Sequence, residues 1–85
     1  MLASVKKMIQ AVENGRKSAK AGNHSMQVLS DGTIKYFYHW TAICTVNKDG
    51  SVKYDNGGWS TPSTHRSISS YAEYYGGDWK KQVSK

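Results

Sequence analysis

His24, His39, His65 and Cys44 are the side chains of this 85-residue chain able to serve as bases or nucleophiles near neutral pH. Their spacing argues against catalysis. Cys44 sits in the run Ala42-Ile43-Cys44-Thr45-Val46, where a thiol packs as a small apolar residue, and nothing in the sequence places a base beside it. Three histidines and one cysteine at irregular intervals do not make the three or four ligands of a metal site. No two carboxylates are close in sequence, and Gly15-Arg16-Lys17-Ser18 lacks the spacing of a phosphate loop. The expectation is a protein that is not an enzyme and carries neither cofactor nor metal.

Binding is the chemistry left, and aromatic residues are its clearest sign. Three Trp, six Tyr and one Phe exceed what the core of so short a chain can hide. Tyr36-Phe37-Tyr38-His39-Trp40 is a continuous ring-bearing run, so both faces of its strand receive large rings. Exposed rings beside lysines suit either base stacking or an anchor in a protein interface; covered by helices or a partner subunit, they are only core.

The net charge of +6 is uneven. Lys6, Lys7, Arg16, Lys17 and Lys20 against Glu13 leave residues 1–22 at +4. Residues 23–77 balance, and Lys80, Lys81 and Lys85 against Asp78 leave the tail at +2. Basic ends brought to one side favour phosphate or an acidic protein patch; kept apart, they are a solvated face and a tail. A single cysteine excludes an internal disulfide and fits a reducing compartment. No run approaches a membrane span, and the N-terminus lacks the basic-then-apolar order of a secretion signal.

Several elements must position these residues. Leu2, Val5, Met8, Ile9 and Val12 make one apolar stripe, which predicts a helix over 1–14 ending at Asn14-Gly15. Residues 15–24 hold no apolar side chain larger than alanine and read as a basic connector. Strands follow over 25–55. Asp31-Gly32 is a hairpin signal, and Ile34, Tyr36, Tyr38 and Trp40 share one face opposite Lys35, Phe37 and His39. A bend near His39-Trp40-Thr41 separates the second strand from the third, or the two are one long bulged strand, and Lys48-Asp49-Gly50-Ser51 turns into a short fourth. Residues 56–62 form a turn around Gly57-Gly58-Trp59, with Trp59 locking the angle between turn and helix. Thr61 or Ser63 caps a last helix over 63–75, with Ile68, Tyr71, Ala72 and Tyr75 inward and Tyr74 outward. His65 bonds a hydroxyl or carbonyl of the preceding turn. Arg66 either pairs with Asp55 or serves a ligand. Trp79, in the basic tail 76–85, is a packing anchor or a surface contact. The fold class is α+β: one small two-layer domain with an N-terminal helix, a three- to four-stranded antiparallel meander and a C-terminal helix, both helices on one sheet face.

The pattern over residues 22–68 resembles small uncharacterised proteins of tailed phages and prophages. A Gly22-Asn23 step precedes a strand, a tyrosine-rich strand runs into Thr41-Ala42-Ile43, and Gly57-Gly58-Trp59-Ser60-Thr61 leads into Ser63-Thr64-His65-Arg66. The chain departs from that pattern at Pro62, inside the hydroxyl run, and at Cys44. The resemblance implies a phage origin and a site of action in the host cytoplasm. Small phage proteins of this size often bind host machinery stoichiometrically, CRISPR effectors included. The implied activity is therefore inhibition of a host or defence complex, a nucleoprotein among the options, and the rival is direct nucleic-acid binding. The residues expected to make contact are Lys6, Lys7, Arg16, Lys17, Lys20, Lys35, Phe37, His39, Arg66, Tyr74, Trp79, Lys80 and Lys81. Edge strands and spare aromatics also allow a homodimer.

Overall fold

The computed structural model describes residues 1–83; Ser84 and Lys85, the end of the basic tail, lie outside the described residues. Helix α1 spans Ala3–Glu13, buries Val5, Met8, Ile9 and Ala11, and ends at Asn14 and Gly15. Five strands follow as an antiparallel meander in the order of the chain: β1 Ser18–Ala21, β2 His24–Val28, β3 Ile34–Tyr38, β4 Thr41–Val46 and β5 Val52–Tyr54. Helix α2 spans Pro62–Tyr75, and a 3-10 turn covers Trp79–Lys81. The architecture is α+β, with five strands where three or four were expected.

The additional strand lies in the stretch read as a connector. Lys17-Ser18-Ala19-Lys20 looks helical or irregular because it lacks β-branched and aromatic residues. Tertiary packing decides otherwise: Ala19 and Ala21 alternate inward and pack against the core beneath α1. Gly22-Asn23 makes a two-residue hairpin, since Ala21 pairs with His24. Gly22 has φ 61, and a positive φ at the first central residue favours glycine in such turns.

The core lies on one face of the sheet. Met26, Tyr36, Ile43, Cys44 and Tyr54 meet Val5, Met8 and Ile9 of α1 and Ile68 and Tyr71 of α2. Sealing each large side chain contributes about 2 kcal/mol. Three buried tyrosines carry hydroxyls into this core. Tyr36 and Tyr75 share a short hydroxyl–hydroxyl hydrogen bond, Tyr54 donates to the Gly76 carbonyl at 2.5 Å, and Tyr71 Oη has no partner among the described residues. Burial pushes the Tyr36 and Tyr71 phenols far above their ordinary range and Tyr54 up to about 12. These tyrosines stay neutral at any physiological pH. Ser70 and Ser67 let α2 lie close to its neighbours: Ser70 Oγ accepts from the Leu2 N–H at 3.2 Å, and Ser67 Oγ donates to the Ser63 carbonyl at 2.9 Å.

A tight turn joins β3 to β4. Tyr38 pairs with Thr41, which leaves His39 and Trp40 as the two central residues. The register then shifts at Tyr36/Phe37: Tyr36 faces Cys44 and Phe37 faces Ala42, so Ile43 is a bulge residue. That bulge lets adjacent Ile43 and Cys44 both enter the core, each with no exposed surface. The expected bend at His39-Trp40-Thr41 is therefore a hairpin turn, and the alternative of one long bulged strand does not hold, since β3 and β4 are separate antiparallel strands.

The segment after β5 is set by Gly57. Its φ is 60, and a Cβ built there would lie 2.7 Å from Thr41 Cγ2. Gly22 has nearly the same φ with nothing within 4 Å of its Cβ position. The pair separates backbone strain from steric clash. Gly22→Ala is expected to cost about 1 kcal/mol and Gly57→Ala about 3 kcal/mol, read as shifts in urea midpoint; equal losses would mean that Thr41 yields freely.

Candidate functional site

Two exposed tryptophans stand at one end of the molecule. Trp40, at the tip of the β3–β4 turn, is 93% exposed, and Trp59, before α2, is 62% exposed. Both depart from the sequence expectation. Trp40 leaves the inner face of its strand because the turn begins at His39 and ends the alternation after Tyr38. Trp59 does not pack into the corner between turn and helix but lines the groove, while Trp79 lies beside His65, with ring centroids 5.3 Å apart. The signal for Trp40 was present in the sequence: a two-residue turn fits between the Tyr36-Phe37-Tyr38 and Ala42-Ile43-Cys44 runs, but neither His39 nor Trp40 is a usual turn residue.

Between the tryptophans lies a groove of about 550 Å³, walled by Tyr38, His39, Trp40, Thr41 and Trp59 and floored by Thr61, Ser63 and Thr64 at the start of α2. Local hydrogen bonds hold each wall. Asn56, with no exposed surface, accepts from the Gly58 N–H at 3.0 Å through Oδ1. Its backbone carbonyl accepts from the Trp59 N–H at 2.9 Å, and its amide meets His65 Nε2 at 3.3 Å. The turn that carries Trp59 is thereby fastened to α2. The Thr61 hydroxyl caps that helix by accepting from the Thr64 N–H at 3.3 Å.

The opposite wall is strained. His39 is the single non-glycine residue with positive φ among the described residues, at 57. The sign pattern is that of a turn whose first central position favours glycine, as at Gly22. Its N–H donates to the Asn23 carbonyl at 2.8 Å, which ties the two neighbouring hairpin turns together. A chain of rings then runs outward from the core: His24 to Tyr38 at 5.0 Å, Tyr38 to His39 at 4.5 Å, and His39 to Trp40 at 6.2 Å.

The other expected contact residues are dispersed. Lys6 and Lys7 are exposed on α1, which covers β1 and β2, while Lys80 and Lys81 sit on the 3-10 turn that packs on α2. That turn precedes Gln82, whose Oε1 accepts from the Tyr54 N–H at 3.0 Å at the far edge of the sheet. The basic ends thus lie at opposite borders of the sheet. Lys81 faces Asp78 at 3.9 Å, and Lys80 lies over the half-buried Trp79 ring. Arg16 and Lys17 precede β1, and Lys20, Lys35 and Phe37 point away from the helices. Arg66 and Tyr74 are exposed on α2. No ion pair joins Arg66 to Asp55 among the described residues; the Asp55 carboxylate instead accepts from the Gly57 N–H at 2.9 Å.

The thiol of Cys44 is fully buried, and burial alone pushes its pKa up to about 12. It is not a nucleophile at neutral pH. Among the described residues no three His, Cys, Asp or Glu side chains converge on a point that could hold a metal ion. Among the described residues no helix is long and apolar enough to cross a membrane. No protein family, curated protein or solved structure matches the chain.

His24 makes the groove's support sensitive to pH. It is 8% exposed, its Nδ1 has no partner among the described residues, and its pKa is lowered first by burial and then by the charge of His39. A histidine depressed in the folded state is protonated more readily when unfolded, so stability falls as pH drops below the ordinary value of 6.5 and levels off below the folded value. Asp31 and Asp49, whose pKa values are lowered by bonds to Thr33 and Ser51, act in a more acidic window. Urea midpoints between about pH 7.5 and 5 should decline for the native protein and stay level for His24→Leu; parallel profiles would remove His24 as the cause.

Proposed function

We propose that the chain is a non-enzymatic binding protein that acts by stoichiometric occupation of a partner protein, with the tryptophan-walled groove as its contact. The carrying observation is Trp40, a ring 93% exposed on a turn held at an unfavourable φ. Leaving a large aromatic in water forfeits the stabilisation that burial gives, and a strained turn adds about 1 kcal/mol or more of cost. The cost of the exposed ring is recovered if a partner covers it, while the strained turn holds the ring in place for that contact. Tryptophan is the residue type most often found carrying interface energy. Trp59 and Tyr38 supply the apolar surroundings such an anchor requires, and the hydroxyls of Thr61, Ser63 and Thr64 supply a polar border.

The resemblance to small phage proteins gives the partner class: a host or anti-phage defence complex in the host cytoplasm, a CRISPR effector among the options, blocked by being bound. A role that needs no bond-breaking suits a chain whose one thiol is buried within the sheet. Affinity capture from the native host, with and without nuclease, identifies the partner and sets protein apart from nucleic acid. Calorimetric titration of that partner should then lose about 2–4 kcal/mol of binding free energy in Trp40→Ala, roughly 30- to 1000-fold. The melting temperature of the variant should match the parent. A partner bound equally well by Trp40→Ala and Trp59→Ala would end this reading.

A further inference from the structure

The sheet face turned away from both helices has a charge pattern that the groove does not explain. Strand register lines its outward side chains into two rows across the sheet. One row is Ser18, Gln27, Lys35, Thr45 and Lys53, and the other is Lys20, Ser25, Phe37 and Ala42. Every charge in those rows is positive. Of the six acidic residues of the chain, Asp55 alone borders this face, and the other five lie elsewhere. Asp31 and Asp49 accept from backbone N–H groups within the β2–β3 and β4–β5 turns. Glu13 and Glu73 belong to the helical layer, Asp78 faces Lys81, and Asp55, at the border of this face, is held by the Gly57 N–H.

The face is also dimpled and carries one ring. A depression of about 490 Å³ is lined by Arg16, Ser18, Lys20, Ser25, Gln27 and Phe37. A second of about 650 Å³ is lined by Lys35, Thr45, Asn47 and Lys53, with Asp55 and Gln82 at its border. Lys35 and Lys53 stand two strands apart, about 10 Å, with polar side chains between them. A second copy of the chain does not suit this face, since its own lysines would meet these. A membrane does not suit it either, since Phe37 is its only large apolar side chain. A duplex keeps its bases stacked on one another and offers none to Phe37, whereas a single strand can lay phosphates on the lysines and a base on the ring.

We infer that this outer face binds single-stranded nucleic acid, with Arg16, Lys20, Lys35 and Lys53 neutralising phosphates, Phe37 stacking a base, and Ser25, Gln27 and Thr45 contacting base or sugar edges. The site is formed by lysines within the sheet, not by the terminal ones, and is independent of the tryptophan groove. Three to four neutralised phosphates give a logarithmic salt slope of about −2 to −3 for a single strand, an affinity loss of about 20- to 50-fold between 50 and 200 mM salt.

The test is fluorescence anisotropy of the intact chain with a labelled homopyrimidine single strand of about 12 nucleotides across that salt range, with free polyglutamate as competitor. Lys20→Ala/Lys35→Ala/Lys53→Ala should abolish most of the salt slope, and Phe37→Ala should weaken binding about tenfold. Trp40→Ala should bind the strand as the parent does. If the alanine set lowers the melting temperature, the Lys→Gln set, which retains the side-chain stems, is read instead. No binding at 50 mM salt, or a slope unchanged in the lysine variants, overturns the inference. So does displacement by polyglutamate together with indifference to Phe37→Ala, which would make the face a docking site for acidic polypeptide.

Discussion

The hydrogen bond between the Tyr36 and Tyr75 hydroxyls fixes where the second helix sits on the sheet. Tyr36 is fully buried at the centre of β3, and its ring lies 4.4 Å from that of Tyr71. A polar atom in so apolar a setting needs a partner, and Tyr75 supplies one only when α2 lies in a single register. The rest follows from that constraint. The start of α2 is carried to the β3–β4 turn, where Thr61 and Thr64 complete the groove. Its end is carried over Tyr54, whose hydroxyl finds the Gly76 carbonyl. Aliphatic residues would bury as much area without dictating that alignment.

One-sided burial also divides the labour of the surface. Both helices cover the same face, so the face behind them is left to water and carries the chain's strand lysines. The ends of the elements, where strand alternation stops, are left to display large rings. Trp40 is exposed because it belongs to a turn, and Phe37 is half-buried but turned outward because it faces away from the helices. These are two separate ways of putting an aromatic on the outside. They produce two surfaces with different neighbours: hydroxyls and rings around the groove, cations and amides behind the sheet.

Much of this was legible from residue order. The stripes Val5-Met8-Ile9-Val12 and Ile68-Tyr71-Ala72-Tyr75 mark both helices, and Thr61 before Pro62 marks where the second starts. Strand β1 was hidden because Ala19 and Ala21 owe their extended state to α1 above them and not to propensity, although Gly22-Asn23 was a hairpin sign. The groove was hidden because it depends on a one-residue question, where alternation ends. Placing the bend at Tyr38 instead of after Trp40 moves a tryptophan from core to solvent. Positive φ at His39 has only a weak marker in residue type, histidine being tolerated there far less readily than glycine. The outer face was half visible: Lys35 and Phe37 were read as outward, whereas Lys20 and Lys53 join them only through five-strand registration.

The carboxamide of Gln82, bound to the Tyr54 N–H, closes part of the rim at β5 with a side chain in place of a strand. At the other rim, β1 is short and bears Lys20, with Lys17 just before it. Lateral growth of the sheet from chain to chain is thereby hindered at one border by an amide plug and discouraged at the other by repulsion between cations. A protein this rich in exposed rings would otherwise be prone to polymerise through its backbone. With both rims guarded, its stickiness is confined to side chains.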